Sequence, residues 1–127
     1  MGASAGSADG RSGSVTAVRA AAPDVARAHF ARLLELETDG ADVAADLAAG
    51  TADFVLLDVR SPAAYAAGHV EGARNLPHRE ISPDTLADVP EATTCVVYCA
   101  GPHCNGADRA ALALARLGRP VKKMLGG

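Results

Sequence analysis

The stretch CVVYCAGPHCNGADRA gathers all three cysteines of the 127-residue chain, Cys95, Cys99 and Cys104, into ten positions. A thiol does chemistry as a thiolate, and a thiolate needs positive potential around it. Cys99 ends the apolar run TCVVYC and opens a Gly/Pro/Asn loop that leads into an alanine-rich helical pattern. If the loop wraps around the sulfur, the peptide N–H groups of Ala100, Gly101, His103, Cys104, Asn105 and Gly106, and the positive end of the following helix, would face it. Pro102 is the one residue of that loop with no N–H to donate. Such a cradle stabilises a sulfur anion and favours an oxyanion in front of it. Cys95 lies inside the apolar run and reads as core. The spacings of Cys95, Cys99, His103 and Cys104 fit no paired zinc knuckle, so no metal is expected.

The elements that must hold this loop are legible as an alternation of strands and helices. Pro23 and Asp24 suit the first turn of a helix whose apolar positions, Val25, Ala26, Phe30 and Leu33, recur every three to four residues to an end near Leu34. LELETDG reads as a short edge strand, and Thr38 or Asp39 caps the helix GADVAADLAA, which Gly50 terminates. DFVLLDV, Asp53 to Val59, is a strand buried on both faces. Ser61 and Pro62 start a short helix that Gly68 stops. A brief extended segment covers residues 73–76, and Ser82 and Pro83 open a helix ending before Pro90. TCVVYC is the second strong strand, followed by a helix from about Gly106 to Leu117 with Leu112, Leu114 and Leu117 as its core positions, and PVKKMLGG is a last short strand. This order predicts an α/β sandwich with a mostly parallel sheet of about five strands flanked by helices.

Bulk composition narrows the function. The hydrophobic fraction is 49% but aromatics make up 3% and tryptophan is absent, so the core is small and aliphatic. A formal charge of −3 offers no basic stripe, which excludes nucleic acid as an expected partner. No stretch approaches the roughly 18 consecutive apolar residues of a membrane span, and the N-terminal residues lack the apolar segment of a signal peptide. An odd, local set of cysteines fits a reducing, cytoplasmic setting. Residues 1–22, rich in Gly, Ala and Ser, read as a flexible tail, and residues 23–127 as one domain.

The pieces LLDVRSPAAYAAGHVEGARNLP, VVYC before a glycine-containing loop, LARLG and the closing MLGG, in that order, resemble the rhodanese-like sulfurtransferase domains from about Leu34 to Gly127. The resemblance implies a single-domain enzyme in which Cys99 takes a sulfane sulfur from thiosulfate or a persulfide and passes it to cyanide or a thiol. It implies no cofactor, and small sulfur donors and acceptors as partners. Cys104 competes for the role, because CNGADRA imitates the short family loop with Arg109 in the place of its arginine. Cys104, however, stands fourteen residues before Gly118 and Cys99 nineteen, so Cys104 would remove nearly a turn from the helix while Cys99 asks only for a slightly longer loop. Asp58 and Arg60 of DVR, with His69 and Asn75, are expected to brace the strand ends.

Two departures from the family matter. AGPHCNGA contains no arginine, so anion binding would rest on backbone dipoles and on His103 when protonated. The resemblance implies a final helix after the Gly-Gly pair, where this sequence stops; without that helix, a second copy of the chain or a protein sulfur acceptor is the expected cover for one side of the sheet. Two alternatives stay open: a cysteine-dependent phosphatase or arsenate reductase, in which Arg109 would clamp a tetrahedral oxyanion, and a non-catalytic, redox-sensing module in which Cys99 and Cys104 form a disulfide.

Overall fold

A computed structural model describes residues 13–101 and 104–126. The chain divides into two units, Met1–Arg32 and Leu33–Gly127. The expected tail lies mostly outside the described residues, and residues 13–22 are turns and irregular backbone. Helix α1, Pro23–Leu36, begins on a proline, whose missing N–H costs nothing in a first turn. It runs two residues past the expected end and buries none of its side chains, so Val25, Phe30 and Leu34 stay exposed.

The second unit is built on a five-stranded sheet in the order β1-β5-β4-β2-β3, with every pair parallel. Its strands are β1 (Glu37–Asp39), β2 (Phe54–Asp58), β3 (Arg74–Asn75), β4 (Thr94–Tyr98) and β5 (Val121–Leu125). Three helices connect them: α2 (Gly40–Ala49), α3 (Pro62–Ala67) and α4 (Gly106–Arg116). Local chemistry sets their ends. Asp39 Oδ1 accepts the Asp42 N–H at 2.8 Å to cap α2, and Gly50 closes it at φ 71°, a left-handed conformation that glycine adopts without a Cβ clash. Ser61 Oγ caps α3 through the Ala64 N–H at 3.2 Å.

Side chains alternate across the sheet and divide the core in two. Leu57, Cys95, Val97 and Cys99 face one layer with Ala107, Ala110 and Leu114 of α4. Leu56, Val96, Tyr98 and Met124 face the other with Val43 of α2. The expectation for α4 needs correction: Leu114 is fully buried, but Leu112 and Leu117 are exposed. Residues two apart on a helix point about 200° from one another, so Leu112 and Leu114 cannot share a buried face. The buried stripe runs through the small residues 107 and 110 to 114.

The helix expected from Ser82 to before Pro90 is also absent. Residues 83–88 form successive turns, with Leu86 and Val89 buried. Side chains compete with the backbone here: Thr85 Oγ1 donates to Glu80 O at 2.8 Å and accepts the Ser82 N–H at 2.9 Å. The carbonyls freed from a helical ladder are taken by Arg119, which donates to Val89 O at 2.6 Å, Pro90 O at 3.1 Å and Leu86 O at 3.2 Å.

Candidate active site

In a parallel sheet a crevice opens where consecutive connections leave in opposite directions. From β2 the chain moves outward to β3, and from β4 it moves the other way to β5, so the crevice lies at the carboxyl ends of β2 and β4. Cys99 is the first residue beyond β4. Strand alternation turns it to the same side as Cys95 and Val97, toward the start of α4.

Cys99 is 7% exposed, and it borders two cavities. The first, about 330 Å³, is lined by Cys99, Cys104, Ala107, Asp108, Lys123 and Met124, among others. The second, about 300 Å³, brings Cys99 and Ala100 together with Arg60, His69 and Tyr98. Gly101 lines the first cavity and turns the loop, its carbonyl accepting the Cys104 N–H at 3.0 Å. That turn brings Cys104 back onto Cys99. The two are joined as a disulfide, with Cα atoms 6.4 Å apart. Gly106, at the start of α4, donates its N–H to Cys104 Sγ at 3.3 Å. A Cβ on Gly106 would lie 2.8 Å from Cys99 Sγ and 3.3 Å from Cys104 Sγ, so only glycine leaves both sulfurs where they are. His103 and Pro102 lie outside the described residues.

Arg109 is not brought to this cavity. Its Nε donates to Asn105 Oδ1 at 3.1 Å, and both residues line a separate cavity with His78, Arg79, Leu112 and Arg116. The arginine clamp that an oxyanion-cleaving enzyme would require is therefore directed elsewhere. Asn105 stands at the N-cap of α4 without capping it through its side chain.

Asp58, Arg60 and Asn75 are brought together at the ends of β2 and β3. Asp58 is fully buried and in register with Tyr98 across the β2–β4 pair. Its carboxylate accepts Arg60 Nη2 at 2.6 Å, Arg60 Nε at 3.0 Å, the Arg60 backbone N–H at 3.0 Å and Tyr98 Oη at 2.9 Å. Burial works against the charge, but the Arg60 and Tyr98 hydrogen bonds outweigh it and hold the Asp58 carboxyl below the usual carboxylate range. Burial pushes the Tyr98 hydroxyl up. Arg60 also donates to Gly68 O at 2.6 Å, and Asn75 Nδ2 bonds the carbonyls of Asp58 and Arg60 at 3.1 and 3.0 Å. His69 stacks on Tyr65 with ring centroids 3.6 Å apart, its Nδ1 2.8 Å from Tyr65 O. Both carboxylate oxygens of Asp58 are taken up by these bonds. Cys95, by contrast, is a fully buried thiol that burial pushes up, away from reactivity.

Sequence reasoning missed Lys123. It pairs in register with Val97, so it faces the α4 side of the sheet and lines the first cavity. Its Nζ is 3.0 Å from Asp108 and 3.8 Å from Glu37. The signal was available in strand alternation: in PVKKML, only one of the two lysines can point to the side of Cys99. The cavity thus holds a cation already balanced by two carboxylates.

Residues 40–127 match the family model described as the rhodanese-like domain. The protein BH2092 from Bacillus halodurans has a similar structure, with 37% sequence identity and a TM-score of 0.80 over 84% of this chain and 77% of that one. The human single-domain sulfurtransferase TSTD1 shares the fold at 23% identity and a TM-score of 0.57, covering 72% of this chain and 89% of that one. A 72-residue segment, 57% of this chain, is 38% identical to the HTH-type transcriptional regulator Rv0324 of Mycobacterium tuberculosis. It spans 31% of that regulator.

Proposed function

Because this chain belongs to the rhodanese-like domain family, we propose that it is a sulfurtransferase that accepts a sulfane sulfur on Cys99 and hands it to a nucleophilic acceptor. One observation carries the reading: β4 delivers Cys99 to the crevice between diverging connections, between two cavities and facing the N-terminus of an eleven-residue helix. A free thiol near pKa 8.5 is mostly neutral at physiological pH, and a helix N-terminus is a setting that favours a thiolate.

The steps follow from sulfur chemistry. The Cys99–Cys104 bond is first reduced by a thiol. Cys99 thiolate then attacks the outer sulfur of the donor. The donor's bond to that sulfur breaks, and its electron pair leaves with sulfite, a sulfinate or a thiolate. A persulfide remains on Cys99. Cyanide or a thiol next attacks the outer sulfur, and Cys99 departs as thiolate. The cavity's charge bears on the donor: Lys123 is paired with Asp108 and Glu37, so a singly charged donor with an apolar body, such as an organic persulfide or thiosulfonate, fits better than the thiosulfate dianion.

The test is single-turnover release of benzenesulfinate from benzenethiosulfonate by the reduced protein. The expected yield is about one sulfinate per chain. Cys99→Ser abolishes the release, and Cys104→Ser preserves it. Release that survives in Cys99→Ser, or that disappears in Cys104→Ser, would overturn the assignment.

A further inference from the structure

A persulfide on Cys99 does not have to wait for an external acceptor. The loop turn at Gly101 places Cys104 Sγ within bonding reach of Cys99 Sγ. A thiol held at such a distance competes with dissolved thiols at a very high effective concentration. The Gly106 N–H is directed at the Cys104 sulfur at 3.3 Å, a donor in place for the attacking thiolate. Gly106 maintains the approach, since any side chain at that position would press on both sulfurs. The third thiol, Cys95, is sealed in the core and takes no part.

We propose that Cys104 resolves the Cys99 persulfide and releases hydrosulfide, giving the protein a persulfide-reducing activity in addition to sulfur transfer. The proposal rests on the Cys99 persulfide described above. Cys104 thiolate attacks Cys99 Sγ, the inner sulfur. The bond from Cys99 Sγ to the outer sulfur breaks, and the outer sulfur leaves with the electron pair and its proton as HS⁻. The Cys99–Cys104 disulfide forms. The sulfane sulfur gains two electrons and the two cysteine sulfurs together lose two, so the step balances without another oxidant. A dithiol, by ordinary thiol–disulfide exchange, returns the pair to its reduced form. Partition between the two outcomes then depends on how fast an external acceptor reaches the outer sulfur before Cys104 reaches the inner one.

The experiment uses the full chain, reduced, freed of reductant, without oxygen, and mixed with one equivalent of benzenethiosulfonate. Sulfinate, hydrosulfide and intact mass are followed together. The wild type is expected to release sulfinate first and then a similar amount of hydrosulfide, ending two hydrogens lighter than the reduced protein. Cys104→Ser is expected to release sulfinate, keep one added sulfur, and release hydrosulfide at least ~10-fold more slowly. Gly106→Ala, which separates the sulfurs, is expected to hold the added sulfur longer than wild type. A wild-type protein that keeps its added sulfur as long as Cys104→Ser overturns this proposal while leaving sulfur transfer intact. So does a disulfide formed without hydrosulfide. Absence of sulfinate in both proteins overturns sulfur transfer itself and the resolving step with it.

Discussion

The carboxyl ends of β2 and β4 lie side by side, paired through Asp58 and Tyr98, and they end in opposite chemical conditions. At the end of β2 a buried carboxylate is met by three N–H bonds from Arg60 and by the Tyr98 hydroxyl. At the end of β4, one residue on, Cys99 reaches two cavities and a second thiol. At the first end the buried carboxylate is fully hydrogen-bonded, and at the second the sulfur faces open space. The contrast explains how a reactive sulfur is kept in register: the saturated end fixes the backbone from which the unsaturated one projects. Tyr98 links the two directly, because its hydroxyl is committed to Asp58 and its carbonyl accepts the Val59 N–H at 3.1 Å, while the next residue is Cys99 itself.

The largest effect is expected from breaking the saturated end. Asp58→Asn leaves the Arg60 guanidinium facing a neutral amide in a buried site, and the loss of stability should be about 3 kcal/mol, read by urea or guanidinium unfolding. The pH dependence has a definite sign. The folded-state pKa of Asp58 is lowered, so its contribution is fully present above the unfolded value near ~3.9 and is lost as pH falls through the lower folded value. The wild type should therefore lose stability on acidification below about pH 4, and Asp58→Asn should show a shallower loss over the same range. If Asp58→Asn unfolds at the wild-type denaturant midpoint, the brace is not what holds these strand ends.

The same contrast decides what could be read in advance. Cys99, Asp58 and Arg60 sit where strong apolar strands stop, and strand ends are set by local pattern, whereas the bracing role of Asp58, Arg60, His69 and Asn75 came from the resemblance of DVR and GHVEGARN to the family. The Arg119 contacts and Lys123 were not legible, because both depend on which strands are neighbours, and the sequence order β1 to β5 does not reveal the spatial order β1-β5-β4-β2-β3. On α4, counting leucines found Leu114 but misplaced Leu112 and Leu117, since the helix packs closely against β4 through Ala107 and Ala110, and small residues carry little signal. A graded pair of substitutions sharpens this. Leu114→Ala should cost about 3 kcal/mol by opening a cavity, whereas Leu112→Ala should stay within about 0.5 kcal/mol. Equal costs for the two would mean that the helix is rotated from the orientation described.

The smallest expected effect probes the unsaturated end through its charges. Asp108 sits at the start of α4, where a carboxylate favours the helix but also opposes a thiolate, and it holds Lys123 at 3.0 Å. Asp108→Asn should thus speed sulfur loading from every anionic donor, because both the sulfur and the donor meet less negative potential. A dianion gains more than a monoanion from the same change in potential. The informative quantity is the ratio of loading rates from thiosulfate and benzenethiosulfonate, in which the common effect on Cys99 cancels. That ratio should rise about 3-fold in Asp108→Asn and fall by a similar factor in Lys123→Gln, since these groups are partly solvated and pairs of this kind are worth under about 1 kcal/mol. Both shifts should shrink as salt is raised toward 1 M, where screening reaches within about 3 Å. A ratio that does not move, while both rates do, would place Lys123 outside the donor's reach and leave the backbone of the loop as the sole source of its attraction.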